Sequence, residues 1–220
     1  MNMRDKIKQW KQYSKISDLG IIARRKFFNN AFDGALTCAG IISGIFIIFM
    51  SEPSTFESQD VLITGFATAL AIGISGLWGA FLSEEAERKK KVIDMKKDMA
   101  ETDEELENPE LLHIKQKYKK GNKKKPNSLL EKAEKFATIV ASLVDGGAPV
   151  LGSSLPLIPF FFGVTLSWFH FMFSYAILIG LLIYLGVFLG QISGGGRLRY
   201  ALHLITAGVV TLIVSILLGI

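Results

Sequence analysis

Residues 146–196 read GGAPVLGSSLPLIPFFFGVTLSWFHFMFSYAILIGLLIYLGVFLGQISGGG and contain no Asp, Glu, Lys or Arg. A helix needs about 20 apolar residues to cross the hydrocarbon core of a bilayer, so an uncharged run of 51 residues predicts two crossings joined by a tight turn. Half of all residues are hydrophobic whereas 20% are charged, which means that the charge is concentrated elsewhere in the chain. The sequence therefore indicates an integral membrane protein, and its single cysteine, Cys38, excludes an internal disulfide.

Five segments with little or no charge are long enough to span a membrane. They are residues 34–50, 61–83, 136–163, 168–191 and 200–220. Because only helices and closed barrels satisfy their backbone groups in lipid, these segments predict an all-α polytopic protein with five transmembrane helices. The third segment contains the sequence GGAP at residues 146–149. We expect this tetrad to open or kink the helix, because glycine is a weak helix former and proline lacks an N–H.

The basic residues predict how the chain is oriented in the membrane. Residues 1–26 hold eight Lys and Arg, residues 84–135 hold fifteen, and Arg197 and Arg199 complete the set of 25. The two other loops, residues 51–60 and 164–167, hold none. The positive-inside rule then places the N-terminus and all three basic segments in the cytoplasm, and the C-terminus outside. Since this topology accounts for the net charge of +5, we expect no nucleic-acid partner.

These features divide the chain into four parts. They are an amphipathic cytoplasmic N-terminal helix on the membrane surface (residues 1–28), spans one and two (29–83), a small cytoplasmic helical segment (84–135), and spans three to five (136–220). Acidic residues recur at helical spacing from Glu87 to Glu105, so the cytoplasmic segment begins as a continuation of span two. A second helix is expected after Pro109, over residues 110–120, and a third from about Ser128 leads into span three.

Three pairs of potential metal ligands lie in the cytoplasmic segment, each at a spacing of three residues. They are Glu101 with Glu104, Glu110 with His113, and Glu131 with Glu134. Residues three apart share a helix face, so each pair can offer two carboxylate oxygens, or an oxygen and an imidazole nitrogen, to one cation. The alternative is an ordinary solvated helix face on which lysines pair with these carboxylates.

Two carboxylates lie at membrane depth, where an ionisable side chain costs at least about 2.5 kcal/mol. Asp33 begins the first span at its cytoplasmic end, and Asp145 lies nine residues into the third. Each is followed by a glycine, which leaves room beside the carboxylate, as in the discontinuous helices where transporters bind ions. We predict that both bind metal. The alternatives are an interfacial helix cap for Asp33 and a buried brace for Asp145.

Four motifs, in this order, resemble those of the vacuolar iron transporter family. They are DGALT at residues 33–37, GAFLSEEAER at 79–88, LPLIPF at 155–160 and the glycine-rich stretch at 190–199. The resemblance covers most of the chain from about Asn29. It implies a homodimeric five-span carrier that exchanges Fe²⁺ or Mn²⁺ for protons through a pore between the subunits. It also implies that the three cytoplasmic pairs capture the metal.

The chain departs from the family pattern in span two. Where the family typically has Met-Gly-x-Gly-Glu-Tyr, residues 76–81 read GLWGAF, without the thioether and the carboxylate that line the metal path. Asp145 is also not part of that pattern. Either Asp145 replaces the missing ligands, or the chain is a divergent member with altered cargo.

The function predicted from these observations is the export of Fe²⁺ or Mn²⁺ from the cytoplasm, coupled to proton entry. The metal is then a substrate, and no resident cofactor is expected. We expect a multi-pass protein of the cell membrane that is not an enzyme, because the sequence has no nucleophile elbow, phosphate loop or Cys–His zinc motif. Two alternatives stay open: a membrane-embedded binding or scaffold protein that keeps the fold without transport, and a carrier of another cation or small solute.

Overall fold

The computed structural model describes residues 3–52, 56–104 and 129–218, and its regular elements are helices. They are α1 (Met3–Ile16), α2 (Leu19–Ser51), α3 (Ser58–Glu104), α4 (Leu129–Ser154), a 3₁₀ segment (Leu155–Phe161), α5 (Trp168–Ser193) and α6 (Arg197–Leu218). Within the described residues, the only extended pairing is an isolated antiparallel bridge between Glu57 and Thr165. The predicted all-α fold class is confirmed.

Five helical stretches are long and apolar enough to cross a membrane, as predicted. They are Leu19–Ser51, Ser58–Glu87, Lys132–Phe161, Trp168–Ser193 and Arg197–Leu218. The first differs most from its predicted bounds, because α2 begins at Leu19 rather than near Gly34. No proline interrupts residues 19–34, so the polar and basic residues before the predicted span continue the same helix. The chain turns between α1 and α2 at Asp18, which has a φ of 47°.

The described chain divides into two compact units. The first, here called the membrane unit, comprises residues 21–78 and 141–218, and the second, the basic unit, comprises the described parts of residues 1–20 and 79–140. The largest core cluster of the membrane unit includes the fully buried Phe160 and Phe171, whose rings meet edge to face at 5.6 Å. Within a bilayer such contacts stabilise the fold through close packing rather than through removal of apolar surface from water.

The turn between the third and fourth spans is held by the imidazole of His170. Its Nδ1 accepts a hydrogen bond from the backbone N–H of Ser167 at 3.1 Å. The proton therefore lies on Nε2, which donates to the carbonyl oxygen of Phe162 at 2.5 Å. Since both ring nitrogens are engaged and the ring stacks on Phe160, His170 has a structural role here. The short turn predicted within residues 146–196 is confirmed.

The GGAP tetrad does not open the helix that contains it. Helix α4 runs from Leu129 to Ser154 with Pro149 inside it, and the change to 3₁₀ geometry comes only at Leu155. Pro149 cannot donate to the carbonyl oxygen of Asp145, four residues earlier. That oxygen packs instead against Gly76 of α3, where a Cβ would lie only 2.8 Å away. The expectation of an opened helix was wrong: α4 stays helical through the tetrad, and the carbonyl group that Pro149 leaves without its helical donor lies in close contact with α3.

Candidate functional site

The carboxylate of Asp145 is bound by two side chains of α2. The ammonium nitrogen of Lys26 lies 2.5 Å from Oδ2, and the amide of Asn30 donates to Oδ1 at 2.7 Å. The same amide also donates to the carbonyl oxygen of Lys26 at 2.9 Å. Both carboxylate oxygens are therefore engaged, and Lys26 and Asn30 are held as one group, one helical turn apart.

Close packing of α2 against α4 brings these three residues together. A Cβ on Gly34 would overlap the carbonyl oxygen of Pro149, and one on Gly152 would overlap that of Ala31. The two backbones therefore touch at two successive levels. Asp145 lies one turn before Pro149, so its side chain faces the α2 turn that carries Lys26 and Asn30.

The ion pair is largely shielded from solvent, because the side chains of Lys26 and Asp145 are 23% and 10% exposed. Removing either charge from water is costly, and the attraction between the two compensates only when the remaining polar atoms are also hydrogen-bonded. Here Asn30 satisfies the second carboxylate oxygen. The group is thus a neutral, hydrogen-bonded pair within a helix contact, which is the form in which ionisable residues are tolerated at membrane depth.

Ser142, one turn before Asp145 on α4, is buried, and its hydroxyl has no hydrogen-bond partner among the described residues. A buried hydroxyl without a partner is costly, and an ordered water commonly satisfies such a group. Ser142 is therefore a further polar group on the α4 face near Asp145.

Asp33 differs from Asp145 in both position and surroundings. It lies in the interior of α2 and not at its start, so the alternative of a helix cap is wrong. Its side chain is exposed, and within the described residues its carboxylate makes no hydrogen bond or ion pair. The glycine after it does not break the helix but admits the backbone of Pro149. Asp33 thus presents two carboxylate oxygens on the surface of α2.

The structure describes little of the predicted cytoplasmic ligands. Glu101 and Glu104 lie in the last turn of α3, which continues out of span two as predicted, but their side chains are outside the described residues, as is that of Glu131. Glu110 and His113 lie wholly outside them. Glu134 is exposed on α4. Among the described side chains, no three His, Cys, Asp or Glu residues are grouped so that they could hold a metal ion.

Gly76 stands where the family pattern of span two has its methionine. Because a Cβ at this position would lie 2.8 Å from the carbonyl oxygen of Asp145, no side chain fits here while α3 and α4 keep this contact. Gly73, one turn earlier, makes a similar contact with Gly146. The glycines at these two positions therefore let α3 and α4 touch beside Asp145.

Sequence reasoning did not single out Lys26 and Asn30. From the sequence, Lys26 is only one of the basic residues that orient the chain. The available signal was the four-residue spacing of Lys26 and Asn30, which places both on one face of a helix, together with an Asp in another span that needs a partner. A buried carboxylate requires a partner, and these were candidate donors.

Comparisons with known proteins place the chain among membrane proteins of one family. A family model described as the VIT family matches residues 25–220. An uncharacterized protein of Methanocaldococcus jannaschii is 27% identical over 162 residues, which make up 73% of this chain and 70% of that protein. The family match includes Lys26, Asn30, Asp33 and Asp145, and it leaves α1 outside.

Proposed function

The chain belongs to the VIT family, whose members are membrane metal-ion transporters, and from this premise we propose that it exports Fe²⁺ or Mn²⁺ from the cytoplasm in exchange for protons. The observation that carries the proposal is the family match over residues 25–220, which reaches all five apolar helices. Carboxylate oxygens suit Mn²⁺, and a mixture of carboxylate and imidazole suits Fe²⁺. Both ligand types occur in the cytoplasmic segment.

In the proposed first step, the cytoplasmic segment captures the metal. Glu101 with Glu104, Glu110 with His113, and Glu131 with Glu134 supply the ligands. Replacing Glu101, Glu104 and Glu110 together with Ala should weaken Mn²⁺ binding by the full-length protein far more than the loss of one exposed ion pair would. Unchanged Mn²⁺ affinity in this triple variant would assign the three residues to a solvated helix face.

Asp33 is the proposed ligand for the step into the membrane. This role is supported by the carboxylate oxygens of Asp33, which are exposed and make no hydrogen bond or ion pair within the described residues. The oxygens of Asp145, in contrast, are bound by Lys26 and Asn30. Asp145 can join as a second ligand only after the Lys26 ammonium group leaves it. Because an ionised carboxylate attracts a cation and a protonated one does not, exchange of metal for protons at Asp33 would couple the two fluxes.

The proposed assembly is a homodimer in the cell membrane. It is supported by the exposure of α3 and α6, whose most apolar stretches are only 22% and 11% buried within the chain. Such faces meet lipid or a second copy, and a path for a hydrated cation requires polar groups shielded from lipid. A dimer supplies that shielding.

Metal uptake into proteoliposomes, with Fe²⁺, Mn²⁺, Zn²⁺ and Ca²⁺ compared, tests the proposal. We expect uptake of Fe²⁺ or Mn²⁺ into the lumen to be accompanied by the exit of protons, so that the lumen becomes more alkaline as metal enters. Asp33→Asn should abolish this uptake and leave the unfolding temperature unchanged, whereas Asp94→Asn, at another exposed helical carboxylate, should leave both unchanged. Equal uptake by wild type and Asp33→Asn would remove Asp33 from the path.

One observation favours the alternative of a binding or scaffold protein without transport. Gly76 takes the place of a metal-lining methionine and packs against Asp145, whose carboxylate already has a cationic partner. If that function is the true one, the purified protein will bind Mn²⁺ but show no uptake of any of the four metals into proteoliposomes.

A further inference from the structure

Helix α1 carries two neighbouring faces whose side chains are largely exposed within the described chain. Arg4, Lys8, Lys11 and Lys15 recur at spacings of four, three and four residues, so they form one stripe, here called the basic face. All four side chains are exposed. Met3, Ile7 and Trp10, at spacings of four and three, form a second stripe, here called the apolar face, and are 76%, 45% and 53% exposed.

The two faces are adjacent. At about 100° per residue, their centres lie roughly 100° apart around the helix axis. Asp5 and Gln12 lie on the opposite side of the helix from the apolar face. Apolar and basic stripes side by side are typical of helices that lie in the plane of a membrane interface.

The remaining flank of α1 is packed against its own unit. Tyr13 is buried, and its ring centroid lies 5.9 Å from that of Phe136 on α4. Trp10 stacks on the same ring at 6.1 Å, with 19° between the ring planes. These contacts fix the rotation of α1 about its axis, so that the apolar and basic faces both remain exposed.

We propose that α1 docks through these two faces on the anionic lipid headgroups of the cytoplasmic leaflet. Only Ser17 and Asp18 separate α1 from the start of α2, which is the first apolar helix long enough to span the membrane, so α1 precedes a membrane-spanning helix with almost no linker. The partner must be anionic because the exposed charges of the basic face are all positive. The apolar face then enters the boundary between headgroups and acyl chains, with the Trp10 indole at headgroup level.

This inference is independent of the proposed metal transport, because it concerns a helix outside the family match. Docking of α1 would also affect α4. Since Phe136 packs against both Trp10 and Tyr13, the docked helix braces the part of α4 that belongs to the basic unit.

Cysteine labelling in nanodiscs tests the proposal with the full-length protein. A neutral, water-soluble maleimide is applied to Ile7→Cys, on the apolar face, and to the matched control Gln12→Cys, on the opposite side of the same helix. Native Cys38 is buried and 1% exposed, so it does not compete. In nanodiscs containing phosphatidylglycerol, labelling at position 7 should be roughly tenfold slower or more than in phosphatidylcholine alone. Labelling at position 12 should be nearly equal in the two.

Two further variants test whether binding depends on the position of the positive charges on the basic face or only on the net charge of α1. Each charge beside an anionic surface is worth about fivefold in partition, so Lys11→Gln should reduce the lipid-dependent protection of position 7 by up to about fivefold. The combination of Lys11→Gln with Gln12→Lys restores the net charge of α1 but places the new charge on the side opposite the apolar face. It should therefore behave like Lys11→Gln alone. Wild-type protection in the combination, or labelling at position 7 that does not depend on lipid charge, would overturn the proposal. The second result would also be expected if the partner were an acidic protein.

Discussion

At the scale of single residues, Lys26 and Asp145 introduce opposite charges into a contact between two membrane helices. Neither charge is tolerable there alone, but together with Asn30 they form a neutral and hydrogen-bonded group. In this structure the carboxylate of Asp145 is paired with the Lys26 ammonium group, and its role as a metal ligand stays a prediction. This leaves Asp33 as the intramembrane carboxylate whose oxygens are unengaged within the described residues.

Replacing Lys26 with Met should lower the free energy of unfolding by about 3 kcal/mol, because it leaves the Asp145 carboxylate buried without its cation. Unfolding in mixed detergent micelles measures this change. The matched variant is Lys26→Met combined with Asp145→Asn, which removes both charges and should recover most of the loss. If the single variant is as stable as the double one, the ion pair does not stabilise the contact.

At the scale of helices, the approach of α2 to α4 depends on two glycines. Gly34 and Gly152 each face a carbonyl oxygen of the other helix, so their lack of a Cβ sets the distance between the helices. Gly147, in the same helix as Gly152, has no atom near its missing Cβ. Two glycines of one helix thus have different roles.

Gly152→Ala should destabilise the protein by about 1–3 kcal/mol, because its methyl group would meet the backbone of Ala31 and separate the helices. Gly147→Ala should instead stabilise it by up to about 1 kcal/mol, since alanine is the better helix former and the space is open. The same unfolding assay compares the two variants. Equal effects of both substitutions would contradict the close contact at Gly152.

At the scale of the whole molecule, the distribution of basic residues predicts the orientation of the five helices. Glu57→Cys should react with a membrane-impermeant maleimide added outside intact cells, because it precedes α3 in a loop without Lys or Arg. Lys132→Cys should react only after the membrane is opened. The side chains of Glu57 and Lys132 are both exposed, so a difference in labelling between the two positions cannot come from burial of one of them. Labelling of both from outside would overturn the predicted topology.

The small residues of α3 divide between two faces, and this division predicts the dimer contact. Gly65 and Gly73 face other helices of the same chain, whereas Ala67 and Ala71 are exposed. Small exposed side chains allow two helices to approach closely in lipid. Ala71→Cys should therefore form a disulfide between two copies under mild oxidation.

Val214→Cys is the control for that experiment, because it is 46% exposed on α6 but lies among bulky aliphatic side chains. It should not cross-link. Cross-linking at position 214 and not at position 71 would assign the dimer contact to α6.

The sequence alone predicted five membrane helices, a short turn before the fourth and the continuation of span two as a helix. These features depend on the local run of apolar residues, because a bilayer requires a fixed length of uncharged helix whatever lies beside it. The orientation and the ligand roles of Glu101, Glu104, Glu110, His113, Glu131 and Glu134 stay predictions.

The environment of the intramembrane carboxylates follows only from the tertiary structure. Lys26 and Asp145 are 119 residues apart, and neither the pairing nor the contribution of Asn30 has a local signature. The GGAP tetrad alone predicts a helix break, yet α4 continues through Pro149, and the freed carbonyl group of Asp145 lies against Gly76 of another helix. In lipid every polar group must find a partner within the protein, and which group becomes that partner depends on how the helices pack.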